Sequence, residues 1–126
     1  GGVVLLVDDE ETVRLVGASM LEQSGFDVVT VADGTEAVEY FKEHKDEVGC
    51  VLLDLTMPRM DGRETFDELR RIRDDVRVVL SSGYSEQEVY GRFAGEGIAG
   101  FVQKPYLMDS LIGEIRRAMD DGALPH

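Results

Sequence analysis

Short apolar runs alternate along the chain with segments whose apolar positions recur at helical spacing. The runs lie at residues 3–7, 26–31, 50–53, 76–80 and 98–102. Apolar runs of this length, bounded by turn signals, are typical of strands buried on both faces, although periodicity alone does not exclude a helix for any one of them. The pattern therefore predicts five buried strands.

Each run is followed by a segment whose apolar residues share one face of a helix. The predicted buried positions are Val13, Val16, Gly17, Met20 and Leu21, then Ala37, Val38 and Phe41, then Phe66, Leu69 and Ile72, then Val89, Tyr90 and Phe93, and finally Leu107, Leu111, Ile112, Ile115 and Met119. Gly25 is expected to end the first helix as its C′ residue. Three glycines weaken the fourth segment, residues 85–97, which predicts a short, marginal helix. Leu15 points away from the first stripe, as an ordinary exposed leucine or as a partner contact.

Five alternations of strand and helix are the pattern of βαβ units, which form parallel sheets with helices on both faces. The sequence predicts a doubly wound α/β fold with five strands and five helices. At 126 residues the chain is expected to form a single domain, residues 1–126. It starts Gly1-Gly2 without a methionine, as a processed protein or a piece of a longer one would.

Charge and cysteine content narrow the classes of partner and compartment. The chain has 26 acidic and 13 basic residues, a formal net charge of −13. Such a balance argues against direct nonspecific binding to nucleic acid or to an anionic membrane, since both require basic patches. The single cysteine, Cys50, lies in an apolar run and is expected to be a small core residue in a reducing compartment. No apolar stretch approaches the roughly 18 residues that suggest a membrane span.

Polar side chains follow four of the predicted strands. Asp8-Asp9 follows the first, Asp54 the third, Ser81-Ser82 the fourth, and Lys104 comes shortly after the fifth. Each acid alone could cap a helix, and Asp54 in particular is either an N-cap or a functional carboxylate. Because the carboxyl ends of parallel strands lie on one edge of the sheet, these groups are instead expected to form one site.

The chemistry of this group points to phosphoryl transfer. Three neighbouring carboxylates repel one another, and Mg²⁺, which favours oxygen ligands and retains positions for water and phosphate, relieves that repulsion. A lysine and a serine hydroxyl suit the oxygens of a phosphoryl group. The residues therefore predict in-line transfer of a phosphoryl group to a carboxylate, with the metal neutralising the developing charge.

The same residues resemble the receiver domain of the two-component response-regulator family. The matching positions are Asp8-Asp9, Asp54 in Leu52-Leu53-Asp54-Leu55-Thr56-Met57-Pro58, Met60-Asp61-Gly62, Ser82-Gly83, Phe101 and Lys104-Pro105. The resemblance covers essentially the whole chain and implies the strand order 2-1-3-4-5. It also implies a cis peptide bond between Lys104 and Pro105.

The resemblance assigns roles to the site residues. Asp54 would be the phosphoacceptor, taking the phosphoryl group from a histidine of a histidine kinase or a histidine phosphotransfer domain. Asp9 and Asp54 would bind Mg²⁺ through their side chains, Thr56 through its backbone carbonyl, and Asp8 mainly through water. Lys104 would contact the phosphoryl group.

Further positions are implied to control switching and phosphoryl lifetime. Ser82, rather than Ser81, matches the switch hydroxyl because it precedes Gly83. Phe101 matches the switch aromatic, although packing within its strand explains it equally well. Thr56 and Tyr84 match the two positions that influence phosphoryl lifetime; the ring of Tyr84 either covers the edge of the site or hinders attacking water.

Two other functions are compatible with parts of the pattern. A metal-dependent aspartyl phosphatase would need a second acid two residues after Asp54, where Thr56 stands. A phosphorylation-independent interaction module has no reason to retain Asp8, Asp9, Asp54, Ser82 and Lys104 together. The chain is thus expected to be a cytoplasmic signalling domain rather than a turnover enzyme. It resembles the C-terminal receiver of a hybrid sensor histidine kinase and, nearly as well, a single-domain regulator.

Overall fold

The computed structural model describes residues 2–55 and 61–120. Ten elements alternate along these residues. They are β1 (Val3–Val7), α1 (Glu11–Gln23), β2 (Asp27–Val31), α2 (Gly34–His44), β3 (Val48–Asp54), α3 (Gly62–Ile72), β4 (Val78–Ser82), α4 (Glu86–Phe93), β5 (Gly100–Gln103) and α5 (Met108–Asp120).

The strands form one parallel sheet in the order β2-β1-β3-β4-β5. The predicted doubly wound fold and its strand order are confirmed. β3 lies at the centre, between β1 and β4, and therefore holds its last residue, Asp54, in the middle of the carboxyl edge.

Alternating side chains of the strands enter two separate cores. Val4, Leu6 and Leu52 face one side, which α1 and α5 cover, whereas Leu5 and Leu53 face the side covered by α2, α3 and α4. All five are fully buried. Both faces of the sheet are covered, which explains why its strands appear in the sequence as unbroken apolar runs.

Strand boundaries differ most from the prediction at β4. The apolar run predicted residues 76–80, but the strand is Val78–Ser82. Pairing decides the difference, because Ser81 lies opposite Asp54 and Val102, and Ser82 lies opposite Gln103. Both serines are therefore part of the sheet, rather than of the loop that follows it.

Two residues predicted to be buried are exposed. Val16 is 44% exposed, because α1 packs through Gly17 and Leu21. A Cβ on Gly17 would lie 3.1 Å from a ring carbon of Tyr106, and this close approach sets which side of α1 faces the core. Leu107 is 69% exposed because it precedes α5 and lies in the loop after the Lys104-Pro105 bond, which is cis as expected.

The predicted short fourth helix is present and has a complete N-terminal cap. The Ser85 side chain accepts from the backbone of Glu88, and the Glu88 carboxylate accepts from the backbone of Ser85. Gly95 and Gly97 have φ of 76° and 72° and lie after the helix. They therefore shape the turn into β5 and do not weaken the helix interior, where only Gly91 remains of the three predicted to do so.

Within residues 2–55 and 61–120, no helix combines the length and the apolar character needed to cross a bilayer. The apolar faces of the long helices instead pack against the sheet, in the two cores.

Gly62 is expected to tolerate no side chain. Its N–H donates to the Leu55 carbonyl, and a Cβ there would lie 2.6 Å from the Leu55 Cα. Since backbone cannot move aside as a side-chain end can, Gly62→Ala should lower the free energy of unfolding by about 1–3 kcal/mol. Urea denaturation measures the change.

Gly113→Ala is the matched control for that substitution. Gly113 lies within α5 with no atom within 4 Å of an added Cβ. Alanine is favoured over glycine in a helix by about 0.5–1 kcal/mol, so this variant should be more stable than wild type. Equal stability of Gly62→Ala and wild type would contradict the close approach at the end of β3.

Candidate functional site

Asp54 ends the central strand and is almost completely buried, at 3% exposure of the residue. The strand delivers it to the carboxyl edge, beside Ser81 in the register of β4. It is not the cap of the following helix, because Asp61 occupies that position and its side chain accepts from the Glu64 N–H at 2.9 Å. Of the two alternatives for Asp54, helix cap or functional carboxylate, the structure therefore excludes the cap of α3.

Lys104 joins Asp54 to the first strand. Its Nζ lies 3.1 Å from Asp54 Oδ1 and 2.6 Å from Asp8 Oδ2, and Asp8 is fully buried. Burial by itself would lower the pKa of Lys104. The hydrogen bond to Asp8 and the negative charges of Asp54 and Asp8 raise the pKa by more than burial lowers it, so the pKa of Lys104 is above its ordinary value. Lys104 is therefore a permanent cation between two buried carboxylates.

The β1–α1 loop concentrates three acids beside this ion pair. Asp8, Asp9 and Glu10 each place a ligand oxygen within 4.8 Å of the other two, with Asp9 and Glu10 exposed. The Glu10 N–H donates to Asp8 Oδ1 at 2.9 Å, which orients the buried carboxylate. Carboxylate oxygens are the ligands that Mg²⁺ prefers, so the donor set fits that ion.

Glu10 was not identified from the sequence as a site residue. Its position directly after Asp8-Asp9 was the available signal, but an acid at the start of a helix has an ordinary role beside the positive end of the helix dipole. Thr56, expected to offer its backbone carbonyl, lies outside the described residues, as do Met57, Pro58 and Met60.

The two serines of β4 face opposite sides of the sheet. Ser81 Oγ accepts from the Tyr106 hydroxyl at 3.4 Å, on the side covered by α1 and α5. Burial raises the pKa of Tyr106 to about 12, which keeps that hydroxyl a donor. Ser82 Oγ instead accepts from the Tyr84 N–H at 2.9 Å, and the Ser82 carbonyl accepts from the Lys104 N–H at 2.8 Å.

Phe101 lies on the opposite side of the sheet from the Tyr106 hydroxyl. Its ring is buried and meets the Tyr90 ring edge-on, with centroids 6.3 Å apart. Its N–H donates to Glu114 Oε1 at 3.0 Å. The packing explanation for Phe101 is therefore satisfied in this structure, with α4 as the partner.

Tyr84 is half exposed, at 52%, and the Arg92 guanidinium lies 5.8 Å from its ring centroid. The backbone of Tyr84, rather than its ring, makes the direct contact with Ser82.

The structure thus brings the predicted site residues together, some in direct contact and one through a backbone hydrogen bond. Asp8, Asp54 and Lys104 are in direct contact, with Asp9 adjacent in the β1–α1 loop. Ser82 connects to this group through the backbone of Lys104. A buried carboxylate beside a fixed cation and a set of oxygen ligands can accept a phosphoryl group, because both the metal and the lysine offset its charge.

Comparison with known proteins gives the same family throughout. The family model for the response regulator receiver domain matches residues 4–116. The chemotaxis protein CheY of Bacillus subtilis (strain 168) is 31% identical over 118 residues, covering 93% of this chain and 97% of that protein. The sensor kinase CckA of Brucella abortus (strain 2308) is 34% identical over 117 residues, covering 93% of this chain.

The matched relatives differ in length. This chain spans 12% of the Brucella sensor kinase and 56% of the transcriptional regulatory protein PdtaR of Mycobacterium tuberculosis, to which it is 34% identical over 92% of its own length.

Solved structures agree with the sequence relatives. A response regulator receiver domain protein from Clostridium thermocellum superposes with a TM-score of 0.88 at 25% identity, covering 96% of each chain. The CheX–CheY–BeF₃–Mg complex from Borrelia burgdorferi gives a TM-score of 0.84 at 28% identity, covering 90% of this chain and 86% of that one. With its fold, its acidic loop and its Asp54–Lys104 pair, this chain belongs to the response regulator receiver domain family, the phosphoacceptor signalling domains of two-component systems.

Proposed function

We propose that this receiver accepts a phosphoryl group on Asp54, in the presence of Mg²⁺, from a histidine of a histidine kinase or a histidine phosphotransfer domain. The observation that carries the proposal is the contact of the buried Asp54 carboxylate with Lys104 Nζ, at 3.1 Å, on the carboxyl edge of the central strand. The match to the family over residues 4–116 supports one receiver domain over residues 1–126.

In the proposed step, an oxygen of Asp54 attacks the phosphorus atom of phosphohistidine. The P–N bond breaks, its electron pair remains on the imidazole nitrogen, and that nitrogen takes up a proton, while Asp54 becomes an acyl phosphate. Lys104 is already fixed beside the attacking carboxylate. Its charge can stabilise the negative charge that develops on a phosphoryl oxygen, without a rearrangement that would cost free energy.

Mg²⁺ would be held by Asp8, Asp9, Asp54 and the backbone carbonyl of Thr56. When bound, the ion would neutralise charge on the phosphoryl oxygens. Three acids in one loop and a fourth on the neighbouring strand, against Lys104, leave an excess of negative charge that a divalent cation would relieve.

Ser82 and Phe101 are the proposed switch residues. Ser82 Oγ accepts a hydrogen bond from the Tyr84 N–H, and a hydroxyl that accepts can also donate its own proton, here to a phosphoryl oxygen. Since the Tyr84 N–H donates to Ser82 Oγ, a movement of Ser82 would displace the residues that lead into α4. The Tyr90–Phe101 ring contact would transmit that displacement to β5.

A protein donor is favoured by exposed apolar side chains near the site. Leu15, Val16 and Met108 line a groove of about 440 Å³ between α1 and the start of α5, and Leu107, the residue before Met108, is exposed as well. Both elements begin directly after loops that carry site residues. A partner that brings a histidine to Asp54 would cover this surface, which makes partner contact the favoured role of Leu15.

We also propose that the domain does not turn over an external substrate as an enzyme would, and that it lies in the cytoplasm. An aspartyl phosphatase of the haloacid dehalogenase type would need an acid where Thr56 stands. The buried free thiol of Cys50 is consistent with a reducing compartment. The domain is proposed to act either at the C-terminus of a hybrid histidine kinase or as a stand-alone regulator, with no direct contact to nucleic acid or membrane.

Phosphorylation of Asp54 is tested by incubating the protein with acetyl phosphate and Mg²⁺ and measuring its intact mass. Wild type should gain one phosphoryl group, and Asp54→Asn should gain none, because the amide is not nucleophilic. A phosphorylated histidine phosphotransfer protein serves as the second donor. No addition from either donor would contradict the proposal, and so would equal addition to wild type and Asp54→Asn.

Binding of Mg²⁺ is tested separately by thermal unfolding. At a concentration about five times the dissociation constant, an ion that binds the native state adds about 1 kcal/mol of stability, or roughly 4 °C in melting temperature. Asp9→Ala should abolish most of that shift because it removes an exposed ligand of the loop. An equal shift in wild type and Asp9→Ala would exclude the proposed metal site.

The ring of Tyr84 is proposed to slow attack of water on the acyl phosphate. Tyr84→Ala should speed dephosphorylation by about two- to tenfold, which corresponds to at most about 1.4 kcal/mol in the barrier. Tyr84→Phe keeps the ring and the backbone N–H to Ser82 and should retain the wild-type rate. Loss of phosphoryl mass over time gives the rate constant, and an unchanged rate in Tyr84→Ala would refute the role.

A further inference from the structure

The guanidinium of Arg14 forms a hydrogen bond to the backbone of the loop that carries the three acids. Arg14, in the first turns of α1, donates from Nη1 to the backbone carbonyl of Asp8 at 2.7 Å, in a half-buried position. The contact spans six residues and crosses the start of the helix, from its second turn back to the end of β1. It was not anticipated from the sequence, where Arg14 is a single basic residue among exposed helix positions.

The remaining contacts of this loop show what the Arg14 contact adds. The Asp8 N–H donates to the Val31 carbonyl at 3.2 Å, which holds the loop to β2. Asp8 Oδ1 accepts from Glu10, and Asp8 Oδ2 lies beside Lys104. With the carbonyl held by Arg14, the N–H, the carbonyl and Oδ1 of Asp8 each have a hydrogen-bond partner, and Oδ2 has an ion-pair partner in Lys104. The direction in which the chain leaves β1, and hence where Asp9 and Glu10 lie, is set by these bonds together.

The helix start does not hold the loop by itself. Glu10 occupies the N-cap position of α1 but makes no side-chain cap hydrogen bond. In α2, α3 and α4 the cap side chain accepts a backbone N–H of the first turn. The start of α1 thus lacks the side-chain cap that α2, α3 and α4 have, and the Glu10 carboxylate is not used as one. The Arg14 bond does not replace that cap, because it donates to a carbonyl, but it ties the loop to the helix from the other side.

A purely electrostatic role and a positioning role of Arg14 predict opposite effects on Mg²⁺ affinity. A guanidinium close to a divalent cation repels it, so a purely electrostatic Arg14 would weaken Mg²⁺ binding, and its removal would strengthen binding. A guanidinium that orders the acidic loop has the reverse effect, because ligands held in place lose less conformational freedom on binding. The sign of the change on substitution separates the two.

We propose that Arg14 is a positioning residue of the metal site, which acts through the Asp8 carbonyl to hold the Asp8-Asp9-Glu10 loop in the geometry that binds Mg²⁺. This inference rests on the proposed function, since it presupposes that the acidic loop binds the ion. Arg14 itself contacts neither the metal nor the phosphoryl group.

The test measures Mg²⁺ binding by isothermal titration calorimetry in wild type, Arg14→Met and Arg14→Lys. Methionine keeps the aliphatic stem but removes the donor and the charge, and the dissociation constant should rise about tenfold, as it does when a group that orients metal ligands is lost. Lysine keeps a donor nitrogen, one bond closer to the backbone, and the charge, and should stay within about threefold of wild type. The phosphorylation rate from acetyl phosphate at saturating Mg²⁺ should remain close to wild type in both.

Arg116→Met is the matched control. It removes the same charge from the Arg116 side chain on α5, whose guanidinium lies 5.6 Å from the centroid of the Phe26 ring, and should leave Mg²⁺ binding unchanged. Melting temperatures in EDTA show whether each variant is folded at the assay temperature. If Arg14→Met is not, Arg14→Gln, whose amide is two atoms too short to reach the carbonyl, should show the same loss of affinity.

Unchanged or tighter Mg²⁺ binding in the folded Arg14 variant would overturn the inference. So would a lower phosphorylation rate at saturating Mg²⁺ with an unchanged dissociation constant. In both cases wild type would still bind Mg²⁺ and become phosphorylated, and the proposed function would stand. Wild type that binds no Mg²⁺ would instead refute the metal site, and the role of Arg14 with it.

Discussion

The ion pair of Lys104 with two buried carboxylates is the interaction on which the site depends. Asp8 and Asp54 are almost completely inaccessible to water, and an unpaired charge in such a place costs several kcal/mol. Lys104 Nζ lies within hydrogen-bonding distance of both. One cation therefore makes two carboxylates tolerable at the edge of the sheet, and also places a positive charge beside the proposed phosphoacceptor, Asp54.

This arrangement is possible because three strands end at the same place. β1 supplies Asp8, the central strand supplies Asp54, and Lys104 follows the edge strand β5. The two cores hold these strands rigidly from both sides, so the charged groups meet at fixed distances. Stability and function are largely separated in space: apolar side chains hold the strands, and the charged groups of the site lie where the strands end.

The polar contacts around the site also suggest how a chemical change there would reach the surface. Ser82 is bonded to the backbone of Tyr84 on one side and to that of Lys104 on the other. α4 begins directly after Tyr84 and contacts Phe101 through Tyr90. In the proposed switch, a phosphoryl group that draws Ser82 toward itself would act on both of these backbone contacts, and any change in α4 is limited by the differential contacts that result.

The sequence by itself determined the fold class and most members of the site, but not Glu10 or Arg14. Apolar runs covered on both faces, helical stripes between them and polar residues at the strand ends are local patterns, and they were sufficient to predict the doubly wound sheet and the meeting of Asp8, Asp54 and Lys104. Tertiary structure alone decided the rest. Val16 is exposed because the close contact of Gly17 with Tyr106 sets how α1 sits.

The roles of individual polar groups were also decided by tertiary contacts. Ser81 and Ser82 are adjacent and alike in sequence, but the sheet turns one toward Tyr106 and the other toward the α4 side, because successive residues of a strand face opposite ways. Arg14 reaches Asp8 only because α1 folds back over the end of β1. Periodicity reports which face a residue occupies; it carries no information about which distant group it meets there.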